Sequence, residues 1–243
     1  MTFRPSILPS VLLLALTILF GQLGLWQLDR QQEKRALFER FENAPRLTVE
    51  TALARNERFA RVEAAGRYDT QRHILLDNRI LNGRPGVHVL TPFHLTSGVT
   101  LLVNRGWLPL AADRRSLPAV PTEAGPQLIR GILNSPPSGG PKLGAADELH
   151  PRHWPQLVTY LELNAVSSAL DQPLAPWVLQ LDQADPGGFG GRQWQPAVME
   201  PTTHGAYAVQ WFALAATAVI IWIVLGVRRG KFFKADPPGQ HED

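Results

Sequence analysis

The chain has no cysteine in its 243 residues. That excludes disulfides, thiolate catalysis, iron–sulfur clusters and covalent attachment of c-type haem, and says little about compartment. Charge is missing over two long stretches, from Pro5 to Leu28 and from Pro201 to Val227. Each exceeds the roughly 20 apolar residues a bilayer-crossing helix needs. The net charge of +3 is spread along the chain without a basic stripe or interleaved aromatics, so nucleic acid is not an expected partner. Anionic lipid headgroups suit it better. Catalytic signatures are also lacking: there is no nucleophile elbow, phosphate loop, zinc helix or paired-carboxylate site in a convincing context. "GGFGG" at Gly187 to Gly191 lacks the strand-to-helix setting of a dinucleotide site and reads as flexible chain. An enzyme is not expected.

What is present is a membrane α+β layout: two transmembrane helices flanking an extracytoplasmic antiparallel β-rich domain, in the form of a small barrel or curled sheet. The boundaries are a first transmembrane helix over 6–28, a juxtamembrane helix over 29–45, the β-rich domain over 57–198, a second transmembrane helix over 204–227 and a tail over 228–243. A cleaved signal peptide is the rival for the first span. Its apolar run is too long, and cleavage after Gly21 or Gly24 puts Leu19 or Gln22 where a small residue belongs. In "DRQQEKRALFERFENAP", Leu37 and Phe41 stand one helical turn apart among charges, and Pro45 stops the pattern. Arg228, Arg229, Lys231 and Lys234 crowd the end of the second span and predict a cytoplasmic C-terminus. Arg30, Lys34, Arg35 and Arg40 argue the other way, but charges on a translocated domain weigh less. A multi-pass protein follows, of the cell inner membrane with both termini cytoplasmic and the central domain periplasmic, or with that domain in an intermembrane space.

Within the central domain, "FARVEAAGRY", "RHILLDNRI", "GVHVLTPFHL", "VTLLVNRGWL" and "PQLIRGIL" have strand character. "NGRPG" at Asn82 to Gly86 and "TSG" at Thr96 to Gly98 are hairpin punctuation. "NSPPSGGPKLGAADE" from Asn134 sustains neither period and reads as an exposed loop. After it come a strand "QLVTYLEL", a short helix "NAVSSALD" capped by Asn164 and a strand "APWVLQLD". In "VNRGW", Val103 to Trp107, a structural reading leads, with Arg105 paired to a buried carboxylate. His150 and His153 could meet on one helical face, yet Pro151 and Pro155 make irregular backbone the better reading than a metal site. His73, His88 and His94 sit in predicted strands and read as surface or packing residues.

The second apolar run opens unusually, with His204, Tyr207, Gln210 and Trp211. Thr203 reads as the N-cap, placing His204 at the first helical position. There the helix dipole opposes protonation, and a neutral imidazole is the form that binds a transition metal or a haem iron. At about 100° per residue, Tyr207, Trp211, Ala215 and Ala218 fall near the same side as His204. On the first span, Gly21 and Gly24 offer close approach, Trp26 and Gln27 lie at the depth of His204, and Arg30, Lys34 and Arg35 stand just outside, where acidic propionates would find partners. The plainer reading is an interfacial belt, in which Trp and Tyr anchor any span and the histidine is a hydrated boundary residue.

Three segments together resemble the Surfeit locus protein 1 family: "GLWQLDRQQEK" leaving the first span, "GRPGVHVLTPFHLTSGVTLLVNRGWLP" in the middle, and "HGAYAVQWFALA" opening the second span. The resemblance implies a non-enzymatic assembly factor, or chaperone, for haem-copper cytochrome c oxidase in respiratory chain biogenesis. It implies transient binding of haem a and assistance in its delivery to the catalytic subunit. The family's histidine matches His204, which would be the iron ligand, with Tyr207, Trp211, Trp26 and Arg30 around it. Expected partners are the oxidase catalytic subunit, a haem a synthase and membrane lipids. The alternative is a membrane-tethered scaffold that binds oxidase helices without haem; an enzyme acting on haem or lipid in the β domain is weakest.

Overall fold

The structure is a computed structural model that describes residues 3–235 apart from 112, 115, 138–146 and 197, with side chains through residue 229. The expected loop from Asn134 and the tail over 228–243 therefore lie partly outside the described residues. Two compact units emerge: Met1–Arg40 with Pro196–Asp243, and Phe41–Gln195.

The second unit is the β-rich domain. Its strands are β1 (Arg46–Thr48), β2 (Arg61–Tyr68), β3 (Ile74–Leu81), β4 (Arg84–Leu95), β5 (Thr100–Pro109), β6 (Gln127–Asn134), β7 (Gln156–Val158) and β8 (Leu174–Leu181). They form one sheet in the order β1-β2-β6-β8-β5-β4-β3-β7, and an additional β2–β4 pairing closes β2, β6, β8, β5 and β4 into a five-stranded barrel. The expected barrel is thus present, with the strand edges of the closed part removed. Not every pairing is antiparallel: β5 runs parallel to β8, β1 to β2 and β3 to β7.

Sequence and fold meet most plainly in β2. "RVEAAGRY" alternates polar and apolar, and the strand is buried at every second residue. Val62, Ala64 and Tyr68 point inward with Phe93, Leu101, Val103, Ile129, Leu133 and Leu179. Each fully buried large apolar side chain contributes about 1.5–3 kcal/mol, and this cluster is the barrel's main source of stability. Closure needs the small residue beside that cluster. Gly66 pairs with Leu95, and a Cβ there would run into the backbone carbonyl of His94. At the β3–β4 hairpin, Asn82 and Gly83 both take positive φ, 50° and 75°, the two-residue turn that "NG" announces.

Two stretches differ from the sequence expectation. Only Gln156–Val158 of "QLVTYLEL" is strand, because parallel pairing with β3 covers Ile74 to Leu76 alone. A short strand and helix that periodicity did not announce precede the barrel: β1, then α2 (Val49–Ala54), whose N-cap Thr48 accepts a hydrogen bond from the backbone N–H of Thr51. Six helical residues carry too little pattern to read. The short helix near the end, α3 (Leu163–Leu170), is capped at Glu162 without a side-chain bond, so Asn164 lies inside it and is not its cap.

The first unit consists of α1 (Ile7–Glu42) and α4 (Pro201–Ala235), both long and apolar enough to cross a membrane. They mark a membrane protein. α1 is one continuous helix through the residues read as span and surface segment. α4 begins at Pro201, not after Thr203, because a proline at the first helical position has its φ preset and loses no bond. The helices run antiparallel. From one end to the other, Gln27 meets His204 at 2.8 Å, Phe20 stacks on Trp211 at 5.8 Å, Ser10 meets Trp222 at 2.8 Å, and the Arg4 N–H donates to the Gly226 carbonyl at 3.1 Å. Gly24 makes the pairing close: a Cβ there would stand 2.6 Å from the Phe212 ring.

Candidate functional site

His204 stands in the first turn of α4, with its ring turned toward α1. Its Nδ1–H donates to Gln27 Oε1 at 2.8 Å, in a half-buried setting. When the ring is neutral, that bond leaves the lone pair on Nε2. Nε2 is buried and has no hydrogen-bond partner among the described residues. A buried acceptor left in that condition costs about 1–3 kcal/mol, which a group able to take the lone pair would remove. The next residue lies close to the first helix: a Cβ on Gly205 would stand 2.7 Å from Nε2 of Gln31, whose flexible amide end can move aside. Gln27 and Gln31, one turn apart on α1, thus face the first turn of α4 at His204 and Gly205.

The remaining candidates are disposed unevenly. Trp211 is half-buried and stacks on Phe20. The most buried positions of α4 follow the spacing of His204, Ala208, Trp211, Ala215 and Ala218, with Ala208 1% and Ala218 5% exposed. Tyr207, expected on that seam, is 43% exposed. Three residues at about 100° leave it about 60° off His204, whereas four leave Ala208 only about 40° off. Trp26 is exposed, and the Arg30 guanidinium lies over its ring at 5.7 Å. Arg30 also pairs with Glu33 at 2.7 Å on the same helix. Such an exposed pair is worth little, so the guanidinium is readily released to another anion. His204 and Trp211 therefore belong to the α1-facing side, while Tyr207 on α4 and the Trp26–Arg30 pair on α1 are accessible.

Sequence reasoning placed Gln27 at the right depth but gave it no role. The signal was available: an amide inside an uncharged apolar run needs an internal partner, and His204 is the polar residue at its level.

In the β-rich unit the other candidates are structural. His73 is buried against Thr91 Oγ1 at 3.1 Å, and His94 meets Thr100 Oγ1 at 3.1 Å. His88 meets Asn104 at 3.3 Å and packs edge-on to Trp194; burial, with the Arg79 charge beside it, pushes its pKa down to about 4. Arg105, 3% exposed, is not in an ion pair with any carboxylate among the described residues, contrary to expectation. Its nitrogens donate to the Gly187 carbonyl at 2.7 Å, Thr122 Oγ1 at 2.6 Å and the Pro121 carbonyl at 3.0 Å, and the guanidinium lies between the rings of Tyr68 and Phe189. Nor is "GGFGG" loose chain. The Phe189 N–H donates to the Arg105 carbonyl at 2.6 Å and the Trp107 N–H to the Gly190 carbonyl at 2.7 Å, which glycines permit by letting backbone approach backbone. The rings of His150 and His153 meet edge-on at 6.0 Å, and among the described residues no three His, Asp or Glu side chains gather as a metal site.

Comparison with known proteins identifies the chain. Residues 14–216 match the SURF1 family, and the chain belongs to it. It is 26% identical to Surfeit locus protein 1 of Takifugu rubripes over 93% of this chain and 100% of that one. Identity is also 26% to Surfeit locus protein 1 of Homo sapiens, over 89% of this chain and 77% of that one. An uncharacterized SURF1-like protein of Mycobacterium bovis is 26% identical over 87% of this chain and 82% of its own.

Proposed function

We propose that this chain is a non-enzymatic assembly factor for haem-copper cytochrome c oxidase, and that its paired helices hold haem a in transit to the catalytic subunit. The observation that carries the reading is the buried Nε2 of His204, on a ring oriented by Gln27 and without a hydrogen-bond partner among the described residues. A neutral imidazole with a fixed tautomer is a suitable axial ligand for haem iron. In that role His204 would supply the ligand atom, Trp26 and the outer face of Trp211 flat apolar surface, Tyr207 a phenol, and Arg30 a cation for a propionate. One axial protein ligand suits a carrier, since cargo held by a single bond at a rim is released more easily than cargo between two. Haem bound there would supply the coordination centre; the chain's own task is to orient the imidazole, exclude water from Nε2 and present these side chains.

The membership in the SURF1 family supports oxidase assembly as the process served, with the catalytic subunit and a haem a synthase as partners. The basic cluster Arg228, Arg229, Lys231 and Lys234 supports cytoplasmic termini and a periplasmic β-rich domain in the inner membrane. Co-expression with a haem a synthesis pathway, purification of the full chain and comparison of absorption spectra for wild type and His204→Ala test the reading. Bound haem in the wild type and its loss in the variant, at equal thermal stability, is the expected result. A colourless wild type that still supports oxidase assembly would replace it with the scaffold reading.

A further inference from the structure

At the end of the helix pair opposite His204, the surface between α1 and α4 is hollow. A hollow of 440 Å³ lined by Ser10, Trp222, Arg228 and Arg229 adjoins one of 390 Å³ lined by Ser10, Leu14, Val219 and Trp222. Ser10 and Trp222 border both, and the two hollows together make up the trough. Its wall is fixed: Trp222 Nε1–H donates to Ser10 Oγ at 2.8 Å, Ser10 Oγ–H donates to the Ser6 carbonyl at 2.7 Å, and Phe3 packs edge-on against the indole at 5.0 Å. These bonds consume the polar groups, and the deep end is apolar.

The shallow end has the opposite character. Arg228 and Arg229 are exposed, and no carboxylate among the described residues pairs with either. No acidic residue precedes Asp29 on α1, and α4 contains none. From Val219 to Arg229 the helix rises about 15 Å, half of the roughly 30 Å hydrocarbon core. The trough therefore spans one leaflet, apolar at depth and doubly cationic at the headgroup level.

We propose that this trough is a binding site for one anionic glycerophospholipid. Its phosphate lies against the guanidiniums of Arg228 and Arg229, and an acyl chain lies along Leu14, Val219 and Trp222. Charge selects the headgroup, since two guanidiniums present several donors to phosphate oxygens where a zwitterionic headgroup brings its own cation. Concavity retains the chain, because a trough contacts it on more sides than a convex helix ridge does. The site is independent of the haem reading and lies at the other face of the bilayer from His204.

Native mass spectrometry of the full chain, purified in non-ionic detergent and offered equal phosphatidylglycerol and phosphatidylcholine, tests the proposal. The wild type should retain one lipid per chain and favour phosphatidylglycerol about tenfold. Arg228→Gln with Arg229→Gln should bring the two lipids to parity, and Leu14→Trp with Val219→Trp, which fills the trough, should lower retention of both. Because the two arginines are exposed, their replacement leaves folding intact even where the tryptophan pair does not. Equal retention of both lipids by the wild type, an unchanged preference in the arginine variant, displacement of the lipid by inorganic phosphate alone, or a lipid-free dimer covering the trough would each overturn the proposal.

Discussion

Gln27 Oε1 accepts the Nδ1–H of His204 at 2.8 Å, a bond between residues 177 positions apart that spans the two membrane helices. It sets which ring nitrogen is available and which way the ring faces. Gln27→Leu should keep the helices but leave Nδ1–H without its acceptor, at a cost of about 1–3 kcal/mol. Haem recovered per chain should fall several-fold, between wild type and His204→Ala, as read from absorption at equal protein. Haem content equal to wild type would mean that Gln27 does not orient the ligand.

Close helix pairing depends on Gly24, whose added Cβ would stand 2.6 Å from the Phe212 ring. Gly24→Leu should destabilise the chain in detergent by about 1–3 kcal/mol. Phe212→Ala in the same chain should recover part of that loss. Thermal unfolding of both single variants and the double variant checks the coupling, and simple additivity would show that the two side chains do not meet.

The barrel should respond sharply to Gly66→Ala and mildly to Gly83→Ala. At Gly66 the new methyl meets the His94 carbonyl, which is held in the β2–β4 ladder that closes the barrel. At Gly83 nothing lies within 4 Å, and only the positive φ of 75° opposes the change. A loss of more than about 2 kcal/mol is expected at the first position and about 1 kcal/mol at the second. Urea denaturation of the full chain in micelles, followed by tryptophan fluorescence, measures both.

Arg105→Lys keeps the charge but gives up the planar fork that reaches Gly187, Thr122 and Pro121 together. We expect a loss of about 2 kcal/mol and faster proteolysis in the segment from 187 to 195, which that fork secures. Limited proteolysis with mapping of the cut sites reports it, and an unchanged digestion pattern would remove the proposed clamp.

Acid should weaken the β-rich unit through His88. Its folded pKa is pushed down to about 4 from the ordinary 6.5, by burial first and then by Arg79. Between those values the unfolded chain binds a proton that the folded chain refuses, so stability is full above about pH 6.5 and falls as pH drops toward 4. His73 and His94, also lowered chiefly by burial, act in the same direction. Replacing His88 with Gln should flatten the dependence of the urea midpoint between pH 7 and 4.5. An unaltered slope would place the effect elsewhere.

Much of this protein was legible one residue at a time. The uncharged runs announced two spans because no backbone other than a helix satisfies itself in lipid over that length. Alternation in β2 and the Asn82–Gly83 turn announced strands and a hairpin, since period 2 and positive φ are local properties. His204 could be singled out because a histidine at the head of an apolar helix is an unusual choice of residue. The tertiary structure alone decided what those residues meet. The parallel pairing of β5 with β8, closure at Gly66, the carbonyl and hydroxyl partners of Arg105 and the Gln27–His204 bond each join residues far apart in the chain. Local propensity carries no information about such pairs; they form where packing brings two incomplete groups together with water excluded, and that is a property of the folded whole.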